Sequence, residues 1–176
     1  MELSEKIKNT VRNVPDFPKP GIHFKDIAPV VENPSLSREI VQEFARQLRG
    51  KKIDAIVGVE SRGFIYGMPL ALELNIPFVL VRKVGKLPFD KVQHSYDLEY
   101  GSATVEMHVD SIKPNWNVFI HDDLLATGGT AIAASELVKT QGGNVAGFGF
   151  VIELSFLKGK ERLARYSDNI INLVNY

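Results

Sequence analysis

Val118-Phe119-Ile120-His121-Asp122-Asp123-Leu124-Leu125-Ala126-Thr127-Gly128-Gly129-Thr130 places an apolar run, two adjacent carboxylates and a Thr-Gly-Gly-Thr turn in immediate succession. Val118 to Ile120 are β-branched or aromatic and read as a buried strand. Ala131 to Val138, beyond the turn, reads as a helix with small apolar residues on its inner side. The turn therefore sits at a strand's carboxyl end and a helix's amino end, where unpaired N–H groups and the positive end of the helix dipole collect. Gly128 and Gly129 let the backbone approach an anion with no Cβ in the way, and Thr127 and Thr130 add hydroxyl donors. Asp122 and Asp123 would repel a bare anion, so they face hydroxyls or a metal-bound part of the ligand. A ribose 5-phosphate meets both demands, its 2′ and 3′ hydroxyls donating to the acids and its phosphate resting on the turn from Ala126 to Thr130.

Competing motifs are missing. The chain has no G-x-x-x-x-G-K-[ST] and no G-x-G-x-x-G after a strand, and in Gly58-Val59-Glu60-Ser61-Arg62-Gly63 the serine stands one place too late for a G-x-S-x-G elbow. A length of 176 residues, 44% hydrophobic and 24% charged, suits one globular domain spanning 1–176. Lys and Arg number 21 against 21 Asp and Glu, so no global field draws the chain to nucleic acid or to a membrane, and any anion site is local. The absence of cysteine excludes disulfides, thiolate nucleophiles and Cys-based zinc sites. With no run apolar enough to span a bilayer or serve as a secretory h-region, a cytoplasmic protein is the default expectation.

Outward from the opening stretch, strands and helices alternate. An amphipathic segment (Leu3, Ile7, Val11) precedes residues 15–34, whose five prolines predict a stiff, irregular stretch. Asn33-Pro34-Ser35 opens a helix carrying Leu36, Ile40, Val41, Phe44 and Leu48, closed by Gly50. A strand from Ile53 to Val59, a helix from about Gly67 to Leu74 and a strand from Phe78 to Val81 follow. Past the opening stretch and its helix, stopped by Gly142-Gly143, Val145 to Leu154 reads as another strand. This order predicts an α/β fold with a mainly parallel sheet and helices on both faces. Ser102 to Val109 alternates apolar and polar residues, as expected of a strand with one face in water, and reads as part of an antiparallel flap.

Two further loops follow strands and suit anions. Arg82-Lys83-Val84-Gly85-Lys86-Leu87-Pro88 brings three cations beside the expected crevice, where a second anion would lie. In Glu60-Ser61-Arg62-Gly63, Arg62 is the donor and Gly63 permits close backbone approach. Elsewhere the first would read as a solvated loop and the second as an ordinary strand-to-helix turn.

The opening stretch resembles the signature of the type I phosphoribosyltransferases, whose shared substrate is 5-phosphoribosyl 1-pyrophosphate bound with Mg²⁺. Phe17 to Ile27, Glu60 to Phe64, Arg82 to Pro88, Tyr96 to Gly101 and the signature, in that order, resemble the adenine-specific members of that family over about Val14 to Leu163. The resemblance implies the type I phosphoribosyltransferase fold with an N-terminal hood, about 1–34, over the base. It also implies conversion of adenine and 5-phosphoribosyl 1-pyrophosphate to AMP and pyrophosphate in purine salvage. Mg²⁺ would be held mainly by the substrate, with no direct protein ligand. Arg62, Arg82, Lys83 and Lys86 would stabilise the leaving pyrophosphate. Asp122 and Asp123 would fix the ribose, and Ala126, Thr127, Gly128, Gly129 and Thr130 would anchor the 5′-phosphate. Backbone groups of His23 would read the base, with Phe24 stacking on it and Lys25 close by. Glu99 would handle a purine-ring proton, beside Tyr100 on the flap. A homodimer is implied because the basic loop in this family reaches a neighbouring site.

Adenine itself fits a main-chain reader: its 6-amino group donates and its bare N1 accepts, the complement of a backbone C=O and N–H. The chain departs from the family pattern at His121, usually apolar and expected here as a buried, hydrogen-bonded histidine. It departs again at Phe89-Asp90, which replaces a glycine, and at Lys25 in place of arginine. The rivals are a phosphoribosyltransferase for another base, which would lack the hood; a regulator on the same fold, which would need a DNA-binding module; and a receiver-like protein using its acids for a metal.

Overall fold

The structure is a computed structural model that describes residues 1–97 and 102–176. The amphipathic N-terminus forms α1 (Leu3–Thr10), which buries Ile7. The proline-rich stretch is less irregular than its composition predicts. β1 (Arg12–Val14) pairs antiparallel with β2 (Phe24–Asp26), and Asp26 Oδ1 accepts from the Ala28 N–H to start the single turn α2 (Ala28–Val31). Prolines occupy the connection and the first turn of α2, where no ladder N–H is required.

α3 (Pro34–Leu48) buries Leu36, Ile40, Phe44 and Leu48, the stripe its spacing predicts. Asn33 caps it, its side chain accepting from the Leu36 N–H at 3.1 Å. β3 (Ala55–Val59) is buried throughout and leads into α4 (Gly63–Leu74), then β4 (Phe78–Lys83). β5 (Lys91–Asp97) and β6 (Ser102–His108) form the antiparallel flap. β7 (Asn117–Leu125), α5 (Gly129–Thr140), β8 (Asn144–Glu153), α6 (Gly159–Leu163) and β9 (Ile170–Asn175) complete the chain.

Seven strands share one sheet in the order β5-β6-β4-β3-β7-β8-β9. β4, β3, β7, β8 and β9 run parallel, and the flap pair is antiparallel. Successive residues of β3 and β7 serve opposite cores. Val57 and Ile120 pack with α5, whereas Ile56 and Phe119 pack with α3 and α4. The chain leaves β3 for β4 on one side and returns through β7 on the other. A crevice therefore opens at the carboxyl ends of β3 and β7, where α/β sheets bind ligands.

Two expectations need correction. α4 begins at Gly63 rather than near Gly67, because its first turn is buried against β7 and glycine there serves packing, leaving little amphipathic signal. The water-facing side expected of β6 is closed. Val105, Glu106 and Met107 are all buried, because the basic loop after β4 folds over Glu106. β9, beyond the part of the chain that carried a signal, adds a parallel edge strand beside β8.

Candidate active site

β7 ends at Leu125 and α5 opens at Gly129, with Gly128 at φ +81° between them. The N–H groups of Thr127, Gly128, Gly129, Thr130 and Ala131 donate to no acceptor among the described residues. They are the orphan donors of a helix start, with the loop before it contributing one more. All five residues line a cavity of about 90 Å³, together with Ala126, Asp122 and Tyr96. The Tyr96 hydroxyl lies 3.2 Å from Thr130 Oγ1, so a residue of the flap strand closes one side of this anion cradle.

A second cavity of about 410 Å³ shares Tyr96, Asp122, Leu124, Ala126 and Thr130 with the first and extends to Glu60, Ser61, Arg62, Lys83 and Asp123. Asp122 and Asp123 leave β7 on opposite faces, as successive strand residues must. Asp122 lines both cavities, and its Oδ1 accepts from the Asp123 N–H at 2.9 Å. Asp123 is 1% exposed and lies under Arg62, whose Nε is 3.2 Å from Oδ2. Burial pushes the Asp122 carboxyl well above the usual carboxylate range, and the neighbouring Asp123 charge adds to it. Burial also raises Asp123, with Arg62 pulling the other way. The pair is therefore primed to receive donors, because a hydroxyl bonded to either acid relieves part of the desolvation.

α4 approaches this pair closely at Gly63. A Cβ there would stand 2.7 Å from the His121 carbonyl oxygen and 3.2 Å from both Asp122 Cα and Oδ1. Backbone cannot yield as a flexible side chain does, so Gly63→Ala is expected to displace Asp122. The expected loss is about tenfold or more in kcat/KM and about 1–3 kcal/mol of stability, read by steady-state kinetics and urea unfolding. Wild-type values for both would show that the helix can retreat freely.

Two carboxylates that the sequence did not single out shape the basic loop. Glu60 Oε2 accepts from Arg82 Nε at 3.1 Å and from the Lys83 N–H at 3.0 Å, and Arg82 Nη1 donates to the Lys86 carbonyl. The buried Glu106 accepts from the N–H groups of Lys86 at 2.9 Å and Leu87 at 2.7 Å, and from Gln93 Nε2 at 3.1 Å. Burial opposes ionisation of Glu106, yet the Leu87 N–H, Gln93 and the Lys91 ammonium outweigh it and hold its carboxyl below the ordinary value. The three expected cations thus separate: Lys83 lines the larger cavity, Arg82 is spent on Glu60 and the loop backbone, and Lys86 is exposed. Phe89 adopts φ +66°, the left-handed conformation that the family's glycine would take without strain.

The hood reaches the site through Phe24. Its ring packs edge-on with Phe17, at 5.2 Å between centroids, and lies 5.5 Å from the Arg62 guanidinium carbon. His23 is exposed, and neither its N–H nor its C=O makes a hydrogen bond among the described residues. Lys25 does not join the site in this structure. The alternation of β2 turns it away from Phe24, and its ammonium sits 4.1 Å from the Tyr176 ring centroid and 3.2 Å from Asn13 Oδ1. Glu99 and Tyr100 lie outside the described residues. His121 is buried as expected but not hydrogen-bonded: neither ring nitrogen has a partner among the described residues, and the ring meets the edge of Phe44, 5.2 Å away.

A parallel sheet with an anion cradle and paired acids at its switch point defines a phosphoribosyl-binding class, and residues 31–172 match the phosphoribosyl transferase domain family. The chain belongs to that family. Its relatives include the adenine phosphoribosyltransferase of Cytophaga hutchinsonii, 50% identical over 99% of this chain and 96% of that protein. The crystal structure of adenine phosphoribosyltransferase from Thermoanaerobacter pseudethanolicus superposes with a TM-score of 0.95 at 44% identity, covering 99% of this chain and all of that one. The Saccharomyces cerevisiae enzyme, solved with an imino-altritol bisphosphate and adenine, gives 0.91 at 40% identity over 97% of this chain and 98% of its own.

Proposed function

We infer that the protein transfers the 5-phosphoribosyl group from 5-phosphoribosyl 1-pyrophosphate to adenine, giving AMP and pyrophosphate in purine salvage. One observation carries this reading: five unpartnered N–H groups and two desolvated carboxylates line contiguous cavities at the sheet's switch point. The cradle takes the 5′-phosphate, and Asp122 and Asp123 accept from the ribose hydroxyls. Displacement at the anomeric carbon builds positive charge on the sugar ring. The acids and the cations stabilise opposite ends of the same separation of charge, the acids the sugar ring and the cations the leaving group. Arg62 and Lys83 line the space for pyrophosphate, and the basic loop supplies further positive charge. Phe24 stacks on the base, and the free backbone groups of His23 read adenine's amino group and N1. Glu99, with Tyr100 beside it, receives the purine proton, and the flap closes over the site to exclude water.

Mg²⁺ fits the all-oxygen donor set of Asp122 and Asp123, which would hold it through the ribose hydroxyls they bind. When bound it neutralises the departing pyrophosphate. A homodimer is supported by the family resemblance and by the exposure of Met68 and Leu72 on α4, Leu80 on β4 and Val84 in the basic loop, apolar side chains a partner would cover. No helix among the described residues is long and apolar enough to cross a membrane, and a cytoplasmic location is part of this proposal.

The reading is tested by incubating the protein with Mg²⁺, 5-phosphoribosyl 1-pyrophosphate and adenine, hypoxanthine, xanthine or orotate singly. Pyrophosphate is expected with adenine. Release with hypoxanthine but not adenine overturns the base assignment, and release with no base overturns the transferase.

A further inference from the structure

The back of the phosphate loop is as specific as its front. A Cβ added to Gly159, the first residue of α6, would overlap the Ala126 carbonyl oxygen. One residue on, the Thr127 carbonyl accepts a 2.7 Å hydrogen bond from Nη1 of Arg162, on the same short helix. These carbonyls belong to the Ala126–Thr127 and Thr127–Gly128 peptides, neither of which is among the chain's cis bonds. In a trans peptide the C=O and N–H point in opposite directions. With both carbonyls turned toward α6, the N–H groups of Thr127 and Gly128 are turned away from it. Both residues line the anion cavity on that other side, and neither N–H has an acceptor among the described residues.

The Thr127–Gly128 peptide is also one whose orientation local sterics fix only weakly on its glycine side. Gly128, at φ +81°, can adopt either hand, so nothing in its own covalent geometry selects the direction of its N–H. The hydrogen bond from Arg162 supplies that selection, and a guanidinium on the carbonyl also polarises the N–H across the same peptide.

We propose that Arg162 is a positioning residue for the 5′-phosphate: by holding the Thr127 carbonyl it aims the Gly128 N–H into the cradle, while the side-chain-free Gly159 lets α6 lie directly beneath Ala126. This rests on the phosphoribosyl reading above. The side chain is exposed and touches the loop from behind, so its removal takes no side chain from the core or from the cavity lining.

The test compares Arg162→Met, which keeps the stem and removes the donor, with Arg162→Lys, which restores one. Calorimetric titration with AMP and with adenosine separates the phosphate from the rest of the nucleotide. In Arg162→Met the Kd for AMP is expected to rise about five- to tenfold, the scale of one partly screened charged hydrogen bond. Adenosine affinity and melting temperature should stay at wild-type values. The KM for 5-phosphoribosyl 1-pyrophosphate should rise in step with the AMP Kd at little-changed kcat, and Arg162→Lys should recover most of the loss. Equal weakening of AMP and adenosine, or no weakening of either, overturns the role of Arg162. A wild-type protein that binds neither ligand overturns the phosphoribosyl reading and this proposal with it.

Discussion

Asp123→Asn is expected to lower kcat/KM by about 10²–10³-fold, the scale of losing one preorganised electrostatic partner of the transition state, with the fold intact and the KM for adenine unchanged. The substitution keeps shape and one acceptor oxygen while removing the charge. That charge sits 3.2 Å from Arg62 Nε beneath the site at 1% exposure, so solvent screens it little. Its loss acts twice. The developing positive charge on the ribose ring loses a stabilising anion, and Arg62, whose guanidinium carbon lies 5.5 Å from the Phe24 ring, loses the partner that orients it. The deficit should therefore fall on kcat as well as on the KM for the phosphoribosyl donor. A pH profile gives an independent reading. Both acids must be ionised to work, and burial has raised both, so the acidic limb of kcat/KM lies above the ordinary carboxylate range in the wild type. In Asp123→Asn the like charge is gone, so Asp122 ionises more readily and the limb moves to lower pH. Unchanged kcat/KM in this variant would remove Asp123 from the ribose site.

The signature strand, its acids and the turn were legible because each part has a local cause. β-branched residues make the strand, glycines the close approach, and the helix start makes the donors. The hood was legible as a segment but not as structure, since the β1–β2 pairing joins residues across a proline-rich connection whose composition argues against regular elements. Lys25 shows the limit of transferring roles by motif: strand alternation, set by pairing with β1, decides which way it points. Glu106 was invisible for a different reason. A lone glutamate in an alternating strand reads as solvent-facing, and only the fold of the basic loop over β6 converts Glu106 into a buried acceptor for two backbone N–H groups. Arg162 has no local signal at all, because its partner is a carbonyl thirty-five residues earlier in the chain.

His121→Leu is expected to stabilise the protein by about 1–3 kcal/mol at neutral pH, the desolvation penalty of buried polar atoms left unpaired, and by more as pH falls. The ring is fully buried, both nitrogens lack partners, and the position faces Phe44 in the core between β7 and the helices α3 and α4. Leucine is of similar volume and keeps the contact with Phe44 without a polar atom to satisfy. The pH dependence follows from linkage. Burial depresses the imidazole from 6.5 to about 3. Above pH 6.5 both folded and unfolded chains carry it neutral, and it contributes no slope. Below pH 6.5 the unfolded chain takes up a proton that the folded one refuses, so stability falls with pH until the folded value is reached. The full span corresponds to about 5 kcal/mol for a shift from 6.5 to about 3. Asp122 and Asp123 act in the opposite direction: their raised folded values favour the native state as pH falls through them. The wild-type curve alone mixes the two effects, whereas the difference between His121→Leu and wild type isolates the histidine. Urea unfolding at pH 7.5, 6, 5 and 4 should show that difference widening by about 1.4 kcal/mol for each unit below pH 6. A difference constant from pH 7.5 to pH 4 would mean that His121 takes up its proton in the folded state, which the unpartnered ring between Phe44 and the sheet does not permit.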